Sequence, residues 1–223
     1  MVNIREVIPL VDLGKVFILG DSYSTFEGHI PEGYATWYYD VIRNDTDVDK
    51  VEQTWWKKVL DNTKSELVLN CSYSGTTICH TGYAGDCSNA SFVGRFDDIV
   101  ADGWFSNKTV DTFIVFGGTN DSWANSPIGE TMTSGWTKED LFSYLPAVNY
   151  LLKRVKDLFP GVRLICILNC DLKPEINDGL RDAAVRYGAE LIELKDIEKR
   201  SGHPDIRGME QIAEQVLGYL KGR

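Results

Sequence analysis

The chain has 223 residues, of which 43% are apolar, 25% charged and 11% aromatic, without repeats or low-complexity runs. That length suits one α/β domain with a full core and is short for two. A net charge of −10 repels phosphate backbones and anionic lipid headgroups, so nucleic acid and membranes are excluded as expected partners.

No apolar run reaches the roughly 20 residues needed to span a bilayer, and residues 1–10 carry Arg5 and Glu6 with no long apolar stretch behind them. A cytoplasmic protein is expected, or a secreted one whose leader has been trimmed. The five cysteines (71, 79, 87, 166 and 170) are odd in number and sparse, which argues against a disulfide framework. Cys71, Cys79, His80 and Cys87 crowd one loop, but their spacing is irregular and no C-x-x-C pair occurs, so no metal site is expected.

In chain order, residues 16–19 are four consecutive apolar residues with a β-branched bias, the pattern of a parallel strand buried on both faces. Gly20 ends the strand and allows a sharp turn that presents Ser22 at its carboxyl edge, where open α/β sheets place their ligands. Ser22 is there either a nucleophile or, with Ser24 and Thr25, a cap for the following helix. Residues 23–50 lack periodicity and read as a loop over the sheet. A helix is predicted over 51–60, a strand over 67–70, a loop to about 90 and a helix over 92–100.

Residues 111–121 repeat the opening pattern: an apolar strand, two glycines, then Asn120 and Asp121. After a loop over 122–136, Thr137 and Asp140 have the form of a capping box that opens a helix toward residue 158, with Pro146 kinking it or marking its true start. Pro160 and Gly161 close that helix. Strand 162–168, helix 174–187, strand 190–192 and helix 206–220 follow, with Asp205 as the last N-cap. Strands alternating with helices, each strand a continuous apolar run, predict a doubly wound, three-layer α/β/α domain with five parallel strands.

In such a sheet Ser22, Gly75, Asn120 and His203 share one edge. Ester cleavage needs a hydroxyl that loses its proton to a base, and His203 is one of three histidines in the chain. It also needs donors converging on an oxyanion, for which the Ser22 N–H, the Gly75 N–H and the Asn120 side-chain amide are candidates. Neither G-x-x-x-x-G-K-[ST] nor G-x-G-x-x-G occurs, which weakens a nucleotide reading.

Gly20-Asp21-Ser22, residues 70–75, Gly117-Gly118-Thr119-Asn120-Asp121 and His203-Pro204 together resemble the four ordered blocks of the SGNH (GDSL-type) hydrolases. The resemblance runs from residue 16 to the last helix. It implies the flavodoxin-like SGNH fold and an esterase or lipase-like activity without cofactor or metal. Ser22 would be the nucleophile, His203 the base, and Ser22, Gly75 and Asn120 the oxyanion hole. The family commonly has an aspartate three residues before the histidine, a position held here by Arg200. Asp196 or Glu198 could take its place, or a backbone carbonyl could hold the imidazole and leave a Ser-His dyad.

The loops around Ser22 are rich in aromatic residues: Phe26, Tyr34, Trp37, Tyr38, Tyr39, Tyr73, Trp123 and Trp136. Rings beside polar loops suit stacking on sugars, so a short-acyl ester on a glycan or small molecule is the expected substrate, with Asp21, Tyr73, Trp37 and Trp123 as candidate contacts. The alternatives are a lysophospholipase or acyl-thioesterase of the same fold, and a non-catalytic carbohydrate-binding protein.

Overall fold

Four apolar side chains in succession serve two cores at once. In the first strand, β1 (Asp12–Gly20), Phe17 and Leu19 enter the core on one side of the sheet and Val16 and Ile18 the core on the other, all fully buried. In a computed structural model describing residues 11–222, four further strands join it: β2 (Lys64–Ser72), β3 (Thr112–Phe116), β4 (Arg163–Leu168) and β5 (Glu190–Glu193). The stretch with Arg5 and Glu6 lies outside the described residues.

The sheet order is β2-β1-β3-β4-β5, with every pairing parallel. Winding reverses between β1 and β3, the crevice in which doubly wound sheets bind ligands. Register brings the carboxyl ends together there, because Gly20 stands opposite both Ser72 and Phe116. The residues that follow these strands leave the sheet side by side.

Helices α1 (Trp55–Asp61) and α6 (Ile206–Lys221) cover the face of Val16 and Ile18. Helices α2 (Phe92–Ala101), α4 (Tyr144–Leu158) and α5 (Pro174–Tyr187) cover the opposite face. A single turn, α3 (Thr119–Trp123), follows β3. The Asp205 carboxylate caps α6 by accepting the Gly208 N–H at 2.8 Å.

Several elements depart from the pattern read in the sequence. The helix expected over 51–60 divides into a 3-10 turn (Val51–Gln53) and α1, because Thr54 is extended and caps the second piece through its hydroxyl. The Thr137–Asp140 box closes, with Asp140 Oδ2 accepting the Thr137 N–H at 2.7 Å, but it serves one 3-10 turn (Asp140–Phe142). Helix α4 begins at Tyr144, so Pro146 lies in its first turn, where a missing N–H costs nothing. Residues 23–50 do more than overlie the sheet: Phe26, Tyr38 and Val48 are anchored in the core beneath α1 and α6.

Two short hairpins lie outside the main sheet, the first within the stretch expected to be a loop to about residue 90. One pairs Thr81–Gly82 with Gly85–Asp86 and the other pairs Lys199–Arg200 with His203–Pro204. In the second, both central residues, Ser201 and Gly202, have left-handed backbones (φ 51° and 79°), the conformation of a type I′ turn.

Candidate active site

Ser22 opens a 3-10 turn directly after β1, and its Oγ lies 2.9 Å from His203 Nε2. The approach to that turn admits only glycine, since a Cβ on Gly20 would sit 2.5 Å from Ser72 Oγ and 2.8 Å from the Ser24 side chain. Asp21 caps the turn, its Oδ1 accepting the Tyr23 N–H at 3.0 Å. Ser22 and His203 are only 3% and 9% exposed, so the pair sits in a tight, largely dehydrated recess.

His203 is held on every side. Its Nδ1 is 3.1 Å from the Ser201 carbonyl, which the left-handed turn points back at the ring. A carbonyl only accepts, so Nδ1 carries the proton and Nε2 is the free lone pair facing the serine hydroxyl. Tyr23 and Tyr38 donate through their hydroxyls to the carbonyls of Gly202 and Pro204, each at 2.8 Å, clamping the chain on both sides of the histidine. The Trp37 indole is stacked on the imidazole at 3.6 Å and 10°, while Tyr23 and Trp123 flank it at 5.5 and 6.1 Å. Burial holds the His203 pKa below the usual 6.5, against the Ser201 hydrogen bond and Asp45, which favour the charged ring, and with Arg43, which disfavours it. A neutral ring with this tautomer can accept the serine proton.

The candidate oxyanion donors leave the neighbouring strand ends. As the first residue of its turn, Ser22 has an N–H without an intrahelical acceptor. Gly75 has φ 80° with open space around it, and its N–H is unclaimed among the described residues. The conformation, rather than crowding, is what requires glycine there. Asn120 is 3% exposed and donates one Nδ2–H to the Thr76 carbonyl at 3.0 Å, which ties it to the Gly75 loop. The same loop is tied to β1 by the Tyr73 N–H, which donates to the Gly20 carbonyl at 3.1 Å.

Two buried charges hold this frame. The Asp121 carboxylate accepts the Ile78 and Cys79 N–H groups at 2.8 and 3.1 Å. Arg95, 1% exposed, donates to the Gly20 carbonyl and Thr76 Oγ1, each at 3.1 Å, and to the Cys71 carbonyl. Sequence reasoning missed Arg95, although a charged residue directly before Phe96 on an apolar helix face was a signal.

Other expected contacts fall elsewhere. Asp196 and Glu198 make no hydrogen bond to His203: Glu198 meets Gln211 through its backbone N–H at 2.7 Å and its carboxylate at 3.4 Å, and Asp196 occupies a left-handed turn position. Arg200 pairs with His203 across the hairpin and sends its guanidinium toward Asp47, 3.9 Å away. Asp21 is fully buried as the cap of the Ser22 turn, and Tyr73 is stacked on Tyr34 at 4.7 Å. Phe26 and Tyr38 are core, and Trp136 packs on Tyr150. Trp37 and Trp123 do border the histidine. All five cysteines are free, and among the described residues no group of His, Cys, Asp or Glu is placed to hold a metal ion. No helix among them is long and apolar enough to cross a membrane.

The chain is similar to several proteins of known structure. A candidate GDSL-like lipase from Bacteroides ovatus is 44% identical and superposes with a TM-score of 0.88, over 95% of this chain and 100% of its own. One from Bacteroides uniformis is likewise 44% identical, with a TM-score of 0.85 over 94% of this chain and 96% of its own. A family two carbohydrate esterase from Cellvibrio japonicus shares the fold at 12% identity, with a TM-score of 0.65 over 96% of this chain and 63% of its own. No curated protein gives a significant match. Residues 14–220 match the GDSL-like lipase/acylhydrolase family, and the chain belongs to it.

Proposed function

We propose that the protein is a serine esterase that removes short acyl groups, acetyl foremost, from a carbohydrate or another small polyhydroxy compound. The observation that carries the reading is the 2.9 Å contact between Ser22 Oγ and His203 Nε2, with the imidazole tautomer set by the Ser201 carbonyl. Ser22 Oγ attacks the ester carbonyl as His203 takes its proton, and the negative oxygen of the tetrahedral intermediate is met by the Ser22 and Gly75 N–H groups and Asn120 Nδ2. The imidazolium then protonates the departing alcohol. Water, deprotonated by the same ring, cleaves the acyl-serine and frees the acid.

Support for a short acyl group comes from the tight recess around the pair, walled by Trp37 and Trp123. Support for a polyhydroxy alcohol comes from the exposed Trp123 ring at 40%, a face suited to sugar stacking, and from the use of the same fold by a carbohydrate esterase. The test is hydrolysis of p-nitrophenyl acetate, butyrate and octanoate by the protein and by Ser22→Ala. Turnover that falls with chain length and vanishes in the variant is expected. A rise toward octanoate would move the reading to a lysophospholipase or thioesterase, and a lack of Ser22-dependent turnover on all three would remove the esterase.

A further inference from the structure

Tyr83 forms the tip of the hairpin that joins Thr81–Gly82 to Gly85–Asp86. Its ring is 58% exposed, yet its hydroxyl reaches into the site and donates to Asn120 Oδ1 at 2.9 Å. The direction of this bond is fixed by the other end of the amide. Asn120 Nδ2 faces the Thr76 carbonyl, which can only accept, so Oδ1 must be the atom that faces Tyr83, and the phenol must be the donor.

We propose that Tyr83 is a positioning residue for the reaction, locking the Asn120 amide so that the second Nδ2–H, unused among the described residues, is held toward the oxyanion. The proposal rests on the esterase reading above. Both ends of the amide are then engaged before substrate arrives, and no reorientation is needed as charge develops. A hydrogen bond accepted at Oδ1 also polarises the amide and strengthens the N–H opposite.

The hairpin is built to hold the phenol still. Thr81 Oγ1 donates to the Phe142 carbonyl at 2.7 Å, Ser126 Oγ donates to the Thr81 carbonyl at 2.8 Å, and the Cys87 and His80 N–H groups are each bonded at 2.8 Å, to the His80 and Leu141 carbonyls. Partial burial, with Asp21 and Asp121 nearby, raises the Tyr83 pKa, so the hydroxyl stays a donor through the neutral range. The ring itself is largely outside the core, so its hydroxyl can be removed without unfolding the protein.

The experiment is a two-by-two set: the wild type, Tyr83→Phe, Asn120→Ala and the double variant, assayed on p-nitrophenyl acetate beside Ser22→Ala. Tyr83→Phe is expected to lower kcat about ten-fold with KM and Tm unchanged. On the Asn120→Ala background the same change should cost less than about twofold, because the group it orients is gone. A ten-fold loss on both backgrounds would show that Tyr83 acts by another route, and full activity in Tyr83→Phe would overturn the proposal outright. If the wild type has no Ser22-dependent turnover, the esterase reading falls and the proposal with it, an outcome distinct from the other two.

Discussion

The imidazole of His203 lies flat against the indole of Trp37, with ring centroids 3.6 Å apart and planes within 10° of parallel. On the proposed reading, these two residues, far apart in sequence, orient the base as a carboxylate would. The ring cannot tilt on the Trp37 side, cannot rotate without losing the Ser201 carbonyl, and cannot shift without dragging a backbone that Tyr23 and Tyr38 hold. Asp196→Asn and Glu198→Gln are therefore expected to keep kcat within about twofold of wild type, whereas Trp37→Ala should lower it by about ten- to a hundred-fold, a loss of the size that misplacing a catalytic group brings. Trp37→Phe, which restores a flat face, should recover part of it. Steady-state kinetics on p-nitrophenyl acetate settles the matter, and a carboxylate variant as damaged as His203→Ala would mean that a hidden acid completes a triad.

The same surroundings set the pH dependence. His203 must be neutral to act as base, and burial holds its pKa below 6.5. The acid limb of kcat/KM is thus expected below pH 6.5, with a plateau through neutrality. Arg43 lies over the Trp37 ring at 5.3 Å and pairs with Asp45, and the two charges act on the imidazole in opposite senses. Arg43→Gln should move the limb to higher pH and Asp45→Asn to lower pH. Movement of both variants in one direction would mean that they act through packing rather than charge.

Asn120→Ala is expected to cost about 10²–10³ in kcat with little change in KM, the signature of a donor that meets charge present only in the transition state. A rise in KM with kcat preserved would instead make Asn120 a ground-state substrate contact.

The residues that leave the strand ends were legible in the sequence because each carries a local signal. An apolar run stopped by glycine before Ser22, another before Asn120, and an N-cap just after His203 all fall within a few residues of the group they announce. What holds His203 was not legible, since Tyr23 meets Gly202 across 179 positions and Tyr38 meets Pro204 across 166. Nothing local marks such partners, and the same aromatics read equally well as sugar platforms or core. The Ser201-Gly202 turn was a missed local signal: a small polar residue followed by glycine suits two left-handed positions, and it explains why Arg200 is the hairpin partner of the histidine.

Arg95 makes a prediction about stability. Its guanidinium bonds carbonyls or hydroxyls from β1, β2 and the Gly75 loop, and lies 4.8 Å from the centre of the Phe92 ring. Arg95→Met keeps much of the apolar volume but removes the buried donors to the Cys71 carbonyl and Thr76 Oγ1, and leaves the Gly20 carbonyl with the Tyr73 N–H alone. A loss of about 2–5 kcal/mol in urea unfolding is expected, with reduced activity in the remaining folded protein. A loss below about 1 kcal/mol would mean that water replaces the guanidinium without difficulty.

Asp21 makes the last prediction, which concerns stability against pH. It is fully buried, one carboxylate oxygen caps the Ser22 turn and the other, Oδ2, makes no hydrogen bond among the described residues. Burial pushes its pKa up to about 7, from an ordinary value of 3.8. The folded protein therefore keeps a proton that the unfolded chain gives up, and stability contributed by that proton is complete below about pH 4 and lost as pH rises through 7. Asp121, pushed up to about 6, adds a loss of the same sign that is complete slightly earlier. Asp21→Asn retains an oxygen for the Tyr23 N–H and has no charge to bury. Its Tm, measured by calorimetry from pH 4.5 to 8.5, should fall less steeply than that of the wild type, so that the variant gains on the wild type as pH rises and the difference levels off above about pH 8. Parallel profiles would mean that Asp21 keeps the same ionisation in the folded and unfolded chain, and that the orphaned Oδ2 finds a partner when the carboxyl is charged.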